Sequence, residues 1–395
     1  MKNIRDIDIK DKKVLIRVDF NVPLDENRQI TDDTRIREAL PTIQYALSQN
    51  ARVIICSHLG RPKGKRLEEF SLAPAARRLS QLIEKPVRLL PDCVGDPVVE
   101  MVGAMRSGDV LMLENLRYHA EEQKNDEGFS RDLAALADVY VNDAFAVSHR
   151  ADASVVGVTK FCEQCAAGFL LQKEIDFFHR SVSDPVRPLV AIIGGAKVSG
   201  KLTALVNLMD KVDAMIIGGA MANTFLKSQG YEIGKSLVED DLLETAANLI
   251  RDAREKGVKL YLPVDCVVAE KFAADAQTKV VPIQDVPAEW MMLDIGPATT
   301  TLFGEALDSA RTILWNGPMG AFEMDAYARG TMALVQRVAT SHSLSVVGGG
   351  DTNAAVHKSG WADDISYMST GGGAFLMLME GKELPGVVAL DAKDV

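Results

Sequence analysis

The chain has 395 residues, 47% hydrophobic and 25% charged, which is the balance of a folded globular protein too long for one ordinary core. Two domains of roughly 150–200 residues each are expected. The net charge of −11 disfavours a nucleic-acid or anionic-membrane partner, because proteins that track phosphate carry an excess of Lys and Arg.

The opening MKNIRDIDIKDKK lacks the apolar core of a signal peptide. The longest uncharged apolar stretch, 214–226, is too short to span a bilayer and contains Gly218 and Gly219. An odd count of five cysteines fits a reducing cytoplasm better than a disulfide framework.

Short β-branched apolar runs at 14–18, 52–56, 86–90, 109–113 and 138–141 are each followed by a polar or glycine-rich turn and a helical pattern. This alternation predicts an α/β fold of parallel sheets with crossover helices. Next comes Cys162-Glu163-Gln164-Cys165. No second CxxC and no nearby His completes a metal site, so it reads as a pair of ordinary thiols near a helix start.

Residues 168–180 place Phe169, Leu170, Leu171, Gln172 and Ile175 in a helical pattern, and Ser183-Asp184-Pro185-Val186-Arg187-Pro188 stops it. The strand-and-helix unit then resumes at 189–193, 214–217, 259–262, 290–293, 312–314 and 343–347. The expected division is a domain over 1–167, a connecting helix and linker over 168–188, and a second domain over 189–380. On composition alone, 381–395 could pack on either half.

Ligands of open parallel sheets bind beyond the carboxyl ends of the strands. In the first half those ends carry Asp19-Phe20-Asn21, Ser57-His58-Leu59-Gly60-Arg61-Pro62, Glu114-Asn115-Leu116-Arg117 and Asn142-Asp143-Ala144, the last leading to His149-Arg150. Several strand ends thus deliver Asn21, His58, Arg61, Arg117, His149 and Arg150 toward one edge, with Arg35 available from the following helix. Guanidinium forks suit phosphate and carboxylate oxygens, so this cluster in an acidic protein reads as a pocket for a small polyanion.

In the second half the strand ends carry glycines: Gly194-Gly195, Gly218-Gly219, Gly296-Pro297, Asn316-Gly317-Pro318, Gly348-Gly349-Gly350 and Gly371-Gly372-Gly373. Glycine admits close approach of the backbone, and helix N-termini favour phosphate, so these turns suit a nucleotide. Gly195-Ala196-Lys197-Val198-Ser199-Gly200-Lys201 is a near match to a phosphate-binding P-loop, but Leu202 replaces the hydroxyl that would ligate Mg²⁺. Asp351, after a glycine triplet, is the best candidate for that ligand.

Taken together the motifs resemble those of the phosphoglycerate kinase family nearly end to end. They are Arg17-Val18-Asp19-Phe20-Asn21-Val22-Pro23, Ser57-His58-Leu59-Gly60-Arg61-Pro62 and Leu113-Glu114-Asn115-Leu116-Arg117, followed by 194–201, Asp294-Ile295-Gly296-Pro297, Trp315-Asn316-Gly317-Pro318, 348–352 and 369–373. Ala146-Val147-Ser148 and Ala298 depart from the family's usual residues.

The resemblance implies two Rossmann-like three-layer αβα domains with parallel sheets, joined by a hinge helix, with 381–395 returning to the first. It implies that 3-phosphoglycerate or 1,3-bisphosphoglycerate sits on Asp19, Phe20, Asn21, Arg35, His58, Leu59, Gly60, Arg61, Arg117 and Arg150. ATP or ADP would meet Lys201, Gly218, Gly296, Glu323, Gly349, Gly350, Asp351 and Thr352, with Asp351 holding Mg²⁺. Arg35, Lys197 and Gly372 would meet the phosphoryl group in flight as the domains close. A monomeric cytoplasmic enzyme is expected.

Overall fold

Apolar runs bounded by turns become strands buried on both faces, the usual state of parallel sheets. The computed structural model describes residues 1–393. The chain divides into two units inside the helix Phe169–Phe178: Met1–Ile175 with the C-terminal segment from Glu383, and Asp176–Lys382. Among the described residues, no helix is long and apolar enough to cross a membrane.

The first unit contains β1 (Lys13–Arg17), β2 (Arg52–Cys56), β3 (Val87–Leu89), β4 (Val110–Met112), β5 (Val139–Asn142) and β6 (Gln164–Ala167). They form one sheet in the order β3-β4-β2-β1-β5-β6, with every pairing parallel. Leu15 stands opposite Ile54 on one side and Tyr140 on the other, which fixes β1 at the centre. Ile16, Val53, Ile55 and Val141 pack with Ile36 and Ile43 of the crossover helix Thr34–Ser48 and Leu79 of Ala73–Ile83. Removing one such side chain to Ala costs about 2–5 kcal/mol.

β6 adds a strand that the reading of the cysteine pair did not include. Cys165 lies within this strand and the helix begins only at Phe169. Gln164-Cys165-Ala166-Ala167 has no β-branched residue to announce a strand; it forms because the edge of β5 is there to pair with.

The second unit contains β7 (Leu189–Ile193), β8 (Ala214–Ile217), β9 (Lys259–Tyr261), β10 (Asp265–Ala269), β11 (Thr278–Pro282), β12 (Met291–Ile295), β13 (Thr312–Asn316), β14 (Leu344–Gly348) and β15 (Tyr367–Met368). The parallel sheet runs β15-β14-β13-β7-β8-β9. A separate antiparallel sheet, β11-β10-β12, packs on its own small core of Leu226, Ile233, Val268, Ile283 and Met292. The run at 290–293 therefore belongs not to the parallel sheet but to this one, where β12 pairs with β10 across a bulge at Val267/Val268. Unrecognised strands β10 and β11 supply its partners.

In each parallel sheet the connections leave in opposite directions from one pair of neighbouring strands, β1 and β5 in the first and β7 and β13 in the second. Such a switch point leaves a crevice at the carboxyl ends of the strands.

Candidate active site

In the first unit, β1 ends at Arg17 and delivers Asp19 to its switch point. Asp19 is buried; Oδ2 accepts from Arg35 Nη1 at 2.8 Å and Oδ1 from the Asn21 N–H at 3.0 Å. Burial alone would raise this carboxyl, but the His58, Arg35 and Arg17 side chains and the Asn21 N–H outweigh it and hold the pKa below the usual value. Helix Thr34–Ser48 supplies Arg35 from its first turn.

His58, after β2, is buried with Nε2 3.8 Å from Asp19 Oδ1. Its Nδ1 faces Arg17 Nη2 at 3.2 Å. A guanidinium can only donate, so Nδ1 accepts and the proton resides on Nε2. Burial first, then Arg17, Arg117 and Arg35, push the imidazole pKa well below its ordinary value, against Asp19. His58 is a neutral donor here.

The loop after His58 is tied in from both sides. Gly60 N donates to Asn21 Oδ1 at 2.8 Å, and Arg117 Nη1 donates to the Gly60 carbonyl at 2.9 Å. Gly60 has φ +60°, and a Cβ there would collide with the Phe70 ring, so only glycine fits. Phe20 and Leu59 are buried, the Phe20 N–H on Ser57 Oγ at 2.8 Å and the Leu59 carbonyl accepting from Asn115 Nδ2 at 2.7 Å. They hold the loop rather than present a polar group.

Arg117 feels both Arg17 and Arg150; burial and these neighbours bring its pKa down to about 10. Arg150 is half-buried, with Nε on Asp152 Oδ2 at 3.0 Å. His149 is half-buried too, and its Nδ1 finds no partner among the described residues. Arg61 lies exposed on the loop and makes no hydrogen bond or ion pair among the described residues. Asp143 does another job. Its Oδ1 accepts from the Leu170 and Leu171 N–H groups at 2.8 and 3.3 Å, capping helix Phe169–Phe178.

Sequence reasoning missed the frame behind this pocket. Arg17 is fully buried; Nε donates to Ser154 Oγ at 2.8 Å, and Nη1 donates to the Val18 carbonyl. Ser154 Oγ in turn donates to Glu122 Oε1 at 2.5 Å, and Ser154 N to Oε2 at 2.9 Å. Glu122 is the buried counter-charge, its carboxyl raised by burial against Arg17 and Ser154. One signal was available: an Arg at the end of an otherwise apolar strand demands an anion.

In the second unit, Lys201 spans the switch point. Its Nζ donates to the Gly194 carbonyl after β7 at 2.6 Å and to the Asn316 carbonyl of β13 at 2.9 Å. Burial lowers its pKa to about 8, against Asp351. Asn316 Nδ2 donates to the Gly348 carbonyl at 2.8 Å, and Gly317 N to Thr352 Oγ1 at 2.7 Å, joining β13 to the turn after β14. Gly317 has φ +100°, and a Cβ there would collide with the Gly194 carbonyl and stand 2.5 Å from Lys201 Nζ. Thr352 is buried in this framework, while Asp351 is exposed.

Two helices, Gly350–Ser359 and Gly372–Met379, start without a side-chain cap. Their first turns lie together: a Cβ on Gly372 would stand 3.4 Å from Gly349 Cα and 3.6 Å from Gly350 N. Uncapped N–H groups with a converging dipole favour an anion. Gly296 differs. It precedes Pro297–Asp308, whose first N–H groups at Ala298 and Thr299 already donate to Asp265 at 3.0 and 2.7 Å.

A cavity of about 490 Å³ lies in this unit, with Gly195, Gly219, Pro318, Glu323 and Asp351 in its wall. Met291, Met292, Leu293, Leu237 and Phe272 give it an apolar side. Gly218 is buried beneath this wall, where a Cβ would strike Met319. Lys197 is exposed on the loop between Gly195 and Lys201. The carboxylates of Asp351 and Glu323 are hard oxygen donors of the kind Mg²⁺ prefers.

Cations at the switch point of one sheet, and glycine turns with open helix N-termini at that of another, define an α/β enzyme built to handle phosphate esters. The family profile for phosphoglycerate kinase matches residues 4–382. The phosphoglycerate kinase of Desulfotalea psychrophila is 63% identical over 392 residues, 99% of this chain and 100% of that one. That of Geotalea uraniireducens is 62% identical over 97% of this chain and 96% of its own. The solved phosphoglycerate kinase of Coxiella burnetii superposes with a TM-score of 0.91 at 44% identity, covering 99% of both chains. The chain belongs to the phosphoglycerate kinase family, enzymes of glycolysis that use ATP and ADP as substrates.

Proposed function

We propose that the first unit binds 3-phosphoglycerate or 1,3-bisphosphoglycerate, the second binds ADP or ATP, and the phosphoryl group passes directly between them. The observation that carries this reading is the segregation of charge: Arg17, Arg35 and Arg117 gather around Asp19 and His58 in one unit, with Arg150 beside Arg117. The other offers an apolar-walled cavity beside Lys201 and open helix N-termini.

Arg35, Arg61, Arg117 and Arg150 bind the substrate's phosphate and carboxyl oxygens. Asp19, Asn21 and the Nε2–H of His58 serve its hydroxyl, and Phe20, Leu59 and Gly60 set the loop. Leu237, Phe272 and the methionines of β12 take the base, and Gly349, Gly350 and Thr352 position the phosphates. Asp351 would hold Mg²⁺, with Glu323 in the same cavity wall, and the ion when bound would supply neutralising charge on the phosphate oxygens.

A carboxylate with pKa near ~4 is ionised at pH 7, so neither direction requires a general base. What remains is positioning and charge neutralisation, which dominate phosphoryl transfer. Arg35, Lys197 and the backbone N–H of Gly372 supply them. Reacting atoms must come within about 3–3.5 Å, so the helix Phe169–Phe178 acts as hinge and closure excludes water. The enzyme works as a monomer in the cytoplasm, a compartment that suits its five reduced cysteines.

The test is ATP consumption by purified protein offered 3-phosphoglycerate, acetate or aspartate. Turnover with 3-phosphoglycerate alone supports the reading; equal turnover with acetate would overturn the role given to the arginines.

A further inference from the structure

Away from both sites, the first unit brings together three metal-ligating side chains of different chemistry. Asp92 and Cys93 follow β3, and His119 follows the short turn Leu116–Tyr118. His119 Nε2 lies 2.7 Å from Asp92 Oδ1, and the Cys93 N–H donates to the same oxygen at 2.7 Å. One donor atom from each residue lies within 4.8 Å of the other two. Cys93 is buried, while Asp92 and His119 are 37% and 29% exposed, so the cluster has a closed sulfur side and an open solvent side.

An ordinary Asp–His ion pair pinning two loops would explain two of these residues. It does not explain why a buried thiol stands within 4.8 Å of both the carboxylate and the imidazole. We propose that Asp92, Cys93 and His119 form a binding site for a borderline transition-metal dication, Zn²⁺ or Co²⁺.

A tetrahedral Zn²⁺ with bonds of about 2.0–2.1 Å to nitrogen and oxygen and about 2.3 Å to sulfur sets its ligand atoms roughly 3.3–3.6 Å apart. The Asp92–His119 pair opens by about 0.6 Å, and the thiol moves inward by about 1.2 Å at most. Binding exchanges protons for the ion: the thiol proton leaves to solvent as the metal–sulfur bond forms, and His119 ligates through a deprotonated Nε2. Water takes the fourth position on the exposed side. A thiolate and an imidazole select this class of ion over Mg²⁺, so the site does not compete for the nucleotide's metal.

The experiment uses full-length, EDTA-treated protein without nucleotide, titrated with Co²⁺ while the thiolate-to-cobalt charge-transfer absorption is followed, and with Zn²⁺ by calorimetry. One ion per chain with a thiolate band is expected. Cys93→Ser should abolish the band, and Cys93→Ser and His119→Gln should each weaken Zn²⁺ at least about tenfold. Both variants are compared with wild type by circular dichroism and melting in EDTA; if Cys93→Ser fails to fold, His119→Gln and Asp92→Asn, at partly exposed positions, decide. The nearest competitor is the buried thiol pair Cys162 and Cys165. The band should persist in Cys162→Ser/Cys165→Ser. Loss of the band in that double variant, its survival in Cys93→Ser, or no thiolate band in wild type would overturn the proposal.

Discussion

Arg17 Nη2 faces His58 Nδ1 at 3.2 Å, and this contact decides which proton the anion pocket offers. The imidazole should be neutral with its proton on Nε2 at pH 7. Nitrogen chemical shifts of His58 test this directly; an imidazolium at pH 7 would contradict it. The sign for stability follows. A histidine pKa lowered on folding contributes stability that is complete above about 6.5 and lost as pH falls toward the folded value.

Glu122 balances Arg17 through Ser154, with all three residues buried. Glu122→Gln leaves a buried guanidinium without its counter-charge and should cost about 3–5 kcal/mol in urea unfolding. Ser154→Ala removes hydrogen bonds but no charge and should cost about 1–3 kcal/mol. If Glu122→Gln cost less than Ser154→Ala, the ion-pair account of this frame would fail.

Much of the architecture was legible because doubly covered parallel strands read as unbroken apolar runs. Arg52–Cys56, Leu189–Ile193 and Ala214–Ile217 form the strands expected of them. Two strands of the small sheet and the edge strand of the larger one were not legible. Thr278–Pro282 is mostly exposed and carries no apolar alternation, and Tyr367–Met368 is two residues long. Pairing with distant neighbours makes them strands. The strand-end motifs pointed to Asp19, His58 and Arg117, since chemistry and turn coincide there. Glu122 and Ser154 lie in neither kind of motif, and only tertiary packing brings them to Arg17. Nor did the glycine pattern separate Gly296, whose helix N-terminus Asp265 already occupies, from the open ones at Gly349 and Gly371.

Asp294 is buried in the cavity wall, accepting from Ile295 N at 2.9 Å and Gly330 N at 2.8 Å, and burial raises its pKa to about 7. A carboxyl raised on folding makes the fold less stable as pH climbs from the unfolded value near 4 to the folded value near 7. The stability advantage of wild type over Asp294→Asn should shrink across that window. Parallel pH profiles in thermal melts would show that Asp294 does not titrate there.

Arg35 and Lys197 are assigned to the phosphoryl group in transit. Arg35→Ala and Lys197→Ala should each lower kcat by about 10²–10³-fold, the scale for losing one preorganised donor. A rise in KM with kcat unchanged would make them ground-state binders instead.

Calorimetry on two variants tests the division of labour between the units most directly. Arg61 is exposed and makes no hydrogen bond or ion pair among the described residues, so Arg61→Ala removes a ligand contact without disturbing the fold. Lys201→Met removes the ammonium that joins Gly194 to Asn316 at the other switch point. Arg61→Ala should weaken 3-phosphoglycerate at least about tenfold and leave ADP unchanged, and Lys201→Met should do the reverse, as expected for loss of one charged hydrogen-bond donor. Equal loss of both ligands in either variant would contradict the assignment of one substrate to each unit.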